Sequence, residues 1–144
     1  MSGYVIDASI AVKWVVDEDG TAESLSLRKH VLAAPDLLLP ECANILWKKV
    51  RLGELTADEG AFAARLLARA DVDLSPMRPL MEEATRLAVH LDHPAYDCVY
   101  LALAQARGLP FVTADERLLR KVRSGPLGRV SANVIGLVEA AASR

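Results

Sequence analysis

Short apolar runs alternate along this chain with longer stretches in which apolar residues recur every three to four positions. Tyr4-Val5-Ile6 is short, β-prone and ends at Asp7, and it predicts a first strand. Helical spacing follows from Ser9 to about Val16. A second helix is predicted from Thr21, as N-cap, to about Ala33. Leu37-Leu38-Leu39, between Pro35 and Pro40, reads as a short buried strand or extended segment. Pro40 then opens a helix from Glu41 to about Leu52, stopped by Gly53. Thr56-Ala57-Asp58-Glu59 has capping-box spacing and starts a helix running to about Ala70. Val72-Asp73-Leu74 reads as a strand, and Met77 to about Leu91 as a helix with Leu80, Ala84, Leu87, Ala88 and Leu91 on one face. Pro94 opens a helix that stops at Gly108. Its middle, Cys98 to Ala104, is apolar all round and therefore predicted to be buried. Pro110 to Thr113 reads as a strand, Glu116 to about Val122 as a short helix, Val130 to Val134 as a last strand and Ile135 to Ala142 as a last helix. Such alternation predicts an α/β fold with a parallel sheet and helices on both faces.

Composition narrows this picture. The 144 residues suit one domain spanning 1–144. With 52% hydrophobic and 25% charged residues, the chain is not of the disordered class. A net charge of −2 excludes a broadly basic nucleic-acid coat and leaves room for a local basic patch. Two cysteines, Cys42 and Cys98, make no disulfide framework. Met1 to Asp7 lacks the basic and apolar regions of a signal peptide, and no run approaches the ~18 apolar residues of a membrane span. The expectation is a soluble cytoplasmic domain.

Candidate chemistry lies in the acids. Asp7, Glu41 and Asp115 each stand just past an apolar segment read as a strand. In open parallel sheets, ligands bind outside the carboxyl ends of the strands. Asp97 is a fourth acid, in the first turn of the helix predicted to be buried, where an acid is rarely tolerated without a partner. Taken singly, each acid suits a helix N-terminus as a cap. Taken together, they suggest converging carboxylates. Two such charges ~4 Å apart repel by about 4 kcal/mol at an effective dielectric of ~20. They either raise their pKa values or recruit a divalent cation.

No metal-binding spacing pairs His30, His90 and His93; His90 and His93 are three apart, next to the helix break at Pro94. The expected site is therefore all-oxygen, which selects Mg²⁺ or Mn²⁺ over Zn²⁺ and points to phosphoryl-transfer chemistry. The chain has no Gly-rich phosphate loop and no G-x-S-x-G elbow. Cys42 and Cys98 each adjoin an acid that discourages the thiolate, and read as small core residues. A receiver-like domain would need a lysine after the Phe111-Val112 strand, where Thr113 and Asp115 stand instead.

Four segments carry a family resemblance: Val5-Ile6-Asp7-Ala8-Ser9 with Lys13-Trp14; Pro40-Glu41-Cys42-Ala43-Asn44; Tyr96-Asp97-Cys98-Val99-Tyr100-Leu101-Ala102-Leu103-Ala104; and Thr113-Ala114-Asp115-Glu116-Arg117-Leu118-Leu119. In this order, across nearly the whole chain, they resemble the PIN-domain ribonucleases, and among them the VapC-type toxins of type II (VapBC) toxin–antitoxin systems. The resemblance implies a three-layer α/β/α domain with a mostly parallel sheet of four to five strands. It implies that Asp7, Glu41, Asp97 and Asp115 hold one or two Mg²⁺ or Mn²⁺ ions, with Ser9, Asn44 and Thr113 in support. The implied activity is metal-dependent endoribonuclease cleavage, with water attacking phosphorus in line and leaving 5′-phosphate and 3′-hydroxyl ends. The implied partners are a second copy of the chain and a cognate VapB-type antitoxin that neutralises it; operator DNA is reached only through the antitoxin. Two alternatives stand beside this: a PIN nuclease with a housekeeping RNA-processing or DNA-cleaving role, and a non-catalytic metal-binding interaction module.

An acidic site must still attract a polyanion. Residues 1–60 carry ten acids and six bases, whereas residues 61–144 carry nine acids and eleven bases. Arg117, Arg120, Lys121, Arg123 and Arg129 follow directly on Asp115 and are the expected RNA contact, with Lys13 and Lys48 as further candidates. Each is equally suited to a solvated helix face. Trp14, Trp47, Tyr96 and Tyr100 fall among apolar neighbours at helical positions and read as core or subunit-interface packing. The apolar faces of helices 21–33 and 56–70 suit either core or a groove for an antitoxin helix.

Overall fold

The computed structural model describes residues 3–124 and 133–142. Five strands form the sheet: β1 (Gly3–Ile6), β2 (Val31–Pro35), β3 (Asp73–Ser75), β4 (Phe111–Thr113) and β5 (Val134–Gly136). Their order is β3-β2-β1-β4-β5, and every neighbouring pair is parallel. The early strands spread to one side of β1 and the late ones to the other. The order therefore reverses between β1 and β4, and that reversal opens a crevice at the carboxyl ends of these two strands.

Helices flank the sheet, giving the expected α/β/α class. They are α1 (Ala8–Ala11), α2 (Thr21–Ser26), α3 (Leu38–Arg51), α4 (Ala57–Ala68), α5 (Met81–Leu91), α6 (Ala95–Arg107), α7 (Glu116–Ser124) and a closing helix, Leu137–Ala142. Helix α6 lies against β1, β2 and β4, and α5 packs on α6. All seven residues from Cys98 to Ala104 are buried, as their all-round apolarity requires. Val5, Ile6, Phe111 and Val112 are fully buried between the layers. Burying a side chain of this size stabilises by roughly 1.5–3 kcal/mol. On the other side of the crevice, α3 packs on α1, and α4 on α3. Thr56 caps α4 in the expected capping box, accepting from Glu59 N at 3.1 Å while Glu59 Oε1 accepts from Thr56 N at 2.8 Å.

Three expectations are corrected. The helix expected from Thr21 to Ala33 ends at Ser26 and passes through a 3-10 turn, Leu27–Lys29, into β2. Leu32, Ala33 and Ala34 are helix formers, yet they are buried between β1 and β3, and burial overrides propensity. Leu37-Leu38-Leu39 is not a strand. The chain turns at Asp36, whose N–H donates to Ser75 O, and α3 begins at Leu38. Pro40 therefore sits inside the first turn, where its missing N–H costs nothing. The last strand and last helix start later than expected, at Val134 and Leu137. Residues 130–132 of the expected last strand lie outside the described residues, as does Arg129.

Candidate active site

The chain leaves β1 at Asp7 and turns at once into α1. Asp7 caps that helix, its Oδ1 accepting from Ile10 N at 3.3 Å. The same oxygen accepts from Ser9 Oγ at 2.5 Å, and Oδ2 accepts from Thr113 Oγ1 at 2.7 Å. Thr113 ends β4, so this last bond ties the two strands together across the crevice. Thr113 Oγ1 accepts in turn from Asp115 N, and Ser9 Oγ accepts from Ala114 N. Asp7 is only 6% exposed. Burial pushes its pKa up to about 6, the Ser9 and Thr113 bonds oppose that rise, and the Asp97 charge adds to it.

Glu41 stands in the first turn of α3 and is half-buried. Its Oε1 accepts from Tyr100 Oη at 2.7 Å. Burial raises its pKa, the Tyr100 bond opposes, and Asp97 raises it further. Asp97 stands in the first turn of α6, with Oδ2 2.5 Å from His93 Nε2. Asp115 precedes α7 and caps it: its Oδ1 accepts from Arg117 N at 2.9 Å and Leu118 N at 3.2 Å. Capping is thus realised for Asp7 and Asp115. Glu41 and Asp97 instead bind side chains from other parts of the fold or the preceding loop.

All four carboxylates line one cleft of about 540 Å³, together with Ser9, Asn44 and Tyr96. Asp97 and Asp115 also line a neighbouring groove of about 500 Å³, with His93, Arg117, Arg120 and Lys121. The acids therefore stand on the boundary between an acidic cleft and a basic groove. Among the described residues, no lysine or arginine pairs with Asp7, Glu41, Asp97 or Asp115. Asp7 is buried and Glu41, Asp97 and Asp115 are half-buried, and acids that repel one another without a lysine or arginine partner suit a divalent cation.

The other expected contacts are placed differently. Lys13 does not line the cleft. Its ammonium donates to Asp19 O at 2.7 Å and pairs with Glu18 at 3.3 Å. Lys48 is exposed on α3 and lines neither cavity. Arg123 leaves the basic run to pair with Glu139 at 2.5 Å. Of the aromatics read as packing, Tyr100 is fully buried and stacks on Phe111. Tyr96 and Trp47 are exposed, and Tyr96 edges the acidic cleft.

Two functional neighbours escape the sequence reading. Tyr100 reads as core, which it is, yet its hydroxyl reaches Glu41. The expectation that no histidine joins the acids is corrected by His93. It is buried, and ligand atoms of His93, Asp97 and Asp115 lie within 4.8 Å of one another, so that the three could hold a metal ion. Pro94 interrupts the helix but does not separate the pair. As an extended N-cap, it lets the residue before it fold back onto the first turn. The four-residue spacing of His93 and Asp97 is the signal that was available.

Comparison with known proteins fits this geometry. The PIN domain family profile matches residues 4–124. A Pyrobaculum aerophilum protein named exonuclease VapC9 is 31% identical over 121 residues, covering 83% of this chain and 86% of its own. Ribonuclease VapC9 of Mycobacterium tuberculosis is 34% identical over 114 residues, covering 79% and 87%. The crystal structure of PAE2754 from Pyrobaculum aerophilum superposes with a TM-score of 0.71 at 28% identity, covering 99% of this chain and 97% of that one.

Proposed function

The chain belongs to the PIN domain family, and from that premise we propose that it is a Mg²⁺- or Mn²⁺-dependent endoribonuclease of the VapC toxin kind. One observation carries the reading: Asp7, Glu41, Asp97 and Asp115 line a single cleft. Relatives named VapC ribonucleases support it. The four carboxylates would hold one or two ions. Bound there, a divalent ion supplies Lewis-acid stabilisation of phosphoryl charge and an activated water at neutral pH.

The chain's own residues supply position. Ser9 and Thr113 immobilise both oxygens of Asp7, and Tyr100 holds one oxygen of Glu41. Asn44 stands one helical turn beyond Glu41 on the cleft wall. Arg117 and Arg120, in the adjoining groove, bind phosphates flanking the cut bond, and the Asp115 cap at the start of α7 sets their distance from Asp115. Tyr96 stands at the cleft edge, where its ring is available to a base. Phe62 and Leu66 of α4 and Leu25 of α2 leave apolar surface exposed, which suits the helix of a VapB-type antitoxin.

Incubation of the purified protein with total RNA and Mn²⁺ or Mg²⁺, beside EDTA and Asp97→Asn controls, tests the reading. Discrete internal cuts bearing 5′-phosphate ends, absent from both controls, are expected. Ends bearing 2′,3′-cyclic phosphate would falsify it, since they arise from attack by the ribose hydroxyl. Cleavage from a chain end is the second reading, favoured by the exonuclease name of the Pyrobaculum relative, and the same end mapping separates the two.

A further inference from the structure

The loop before α6 carries a contact that the acids alone do not explain. His93 precedes that helix, and its side chain is 4% exposed. Both ring nitrogens face polar neighbours. Nε2 lies 2.5 Å from Asp97 Oδ2, and Nδ1 lies 3.4 Å from Lys121 Nζ. Lys121 is itself held from the other side, donating to Asp92 O at 2.5 Å. An ammonium has three donors and no acceptor, so it can satisfy Nδ1 only where that nitrogen offers its lone pair. In a neutral imidazole the proton then resides on Nε2. The Nε2–H is aimed at Asp97 Oδ2, an acceptor.

The same geometry speaks against His93 as a direct ligand. Neighbouring ligand atoms ~2.1 Å from an octahedral ion stand about 3 Å apart. The Nε2 and Oδ2 atoms are closer than that, at the distance of a hydrogen bond. Ligation through Nε2 would also need the lone pair that this tautomer lacks.

We propose that His93 is a positioning residue: kept in its Nε2–H form by Lys121, it clamps one oxygen of Asp97 and leaves the other to a bound cation. The inference rests on the reading of Asp97 as an ion ligand. It gives Lys121 a role in shaping the site rather than in gripping phosphate. A carboxylate fixed by such an outer partner binds its ion better, because its rotamer is set before the ion arrives.

Long-range ¹H–¹⁵N spectra of the metal-free protein read the tautomer directly. The expected result is a protonated Nε2 and an unprotonated Nδ1 on His93, with Lys121→Met moving the ring toward a mixture of forms. Mn²⁺ titration reads the consequence. His93→Leu is expected to weaken Mn²⁺ binding by about 10–100-fold. His93→Gln, which keeps an N–H near Asp97, is expected to restore most of that loss. A protonated Nδ1 in the wild type overturns the proposal. So does a His93→Gln variant that folds and binds as poorly as His93→Leu, or a His93→Leu variant that binds like wild type. If His93→Leu fails to fold, the spectra of wild type and Lys121→Met still decide. If the wild type binds no Mn²⁺ while His93 shows the expected tautomer and response, the clamp stands and the ion-binding reading of the acids falls.

Discussion

The Tyr100 hydroxyl donates to Glu41 Oε1 at 2.7 Å, joining the middle of α6 to the first turn of α3 across 59 positions of sequence. The phenol is fully buried, and its ring stacks on Phe111 with centroids 5.7 Å apart. Burial and the neighbouring Glu41 charge hold its pKa far above the ordinary tyrosine value, so it remains a donor at every working pH. Tyr100→Phe keeps the stack and removes only the donor. The expected stability loss is about 1 kcal/mol, because half-buried Glu41 can turn to water instead. Mn²⁺ affinity is expected to fall about 10-fold or more as the carboxylate loses its orientation. Thermal melts and metal titrations on the same preparation separate the two effects.

Asp7 makes the stability of the metal-free protein depend on pH with an unusual sign. Its pKa rises from 3.8 in a free carboxyl to about 6 in the fold, chiefly through burial. Between these values the unfolded chain has lost the proton and the folded one retains it. Stability from this group is therefore present in full below pH ~4 and declines as pH rises toward 6, by about 3 kcal/mol in all. Urea unfolding in EDTA at several pH values checks this. The wild type should lose stability relative to Asp7→Asn across the window, and parallel profiles would refute the assignment.

The basic groove and Lys13 make different predictions for RNA. Arg117 and Arg120 line the groove beside Asp97 and Asp115, whereas Lys13 is spent on Glu18 and Asp19. In a catalytically dead background, Arg117→Ala or Arg120→Ala should each reduce the salt slope of single-strand RNA binding by about 0.7, the release of one counterion site. Lys13→Ala should leave that slope unchanged. Binding isotherms at several salt concentrations distinguish the residues, and equal effects would undo the groove assignment.

Lys13 and Lys49 instead share Glu18, at 3.3 and 2.7 Å, pinning the segment after α1 onto α3. Although burial opposes it, the two ammonium groups lower the Glu18 pKa. A depressed acid contributes stability above its unfolded pKa and loses it as pH falls through the folded value. Glu18→Gln should therefore cost about 1 kcal/mol at pH 7 and progressively less in acid. Denaturation midpoints at neutral and acid pH test the difference.

Thr56 offers a control remote from the chemistry. Its capping box closes the N-terminus of α4 on an exposed loop. Thr56→Ala should lower stability by about 1 kcal/mol while Mn²⁺ binding stays at the wild-type value. A change in metal affinity would mean that α4 couples to the cleft through α3.

Several elements were legible because their signals are local. A capping box needs only four consecutive residues, and an all-round apolar stretch between Pro94 and Gly108 describes a buried helix without reference to anything else. The placement of Asp7 and Asp115 just past strands followed from short β-prone runs and their ends. Residues 31–35 were not legible in this way. Their alanines and leucine favour a helix locally, and only the neighbouring β1 and β3 make them a strand.

By itself, the sequence determined the strands that end beside Asp7 and Asp115, the buried faces of α6 and the chain order of the four acids. Periodicity, caps and turn residues act over a few positions, and they carry that information locally. Only the tertiary structure decided which donor meets which carboxylate. Thr113 reaches Asp7 across 106 positions, Tyr100 reaches Glu41 across 59, and Lys121 reaches His93 across 28. A side-chain hydrogen bond is made over about 3 Å, and no local pattern can specify a partner that arrives only when the sheet closes and α6 and α7 pack beside it.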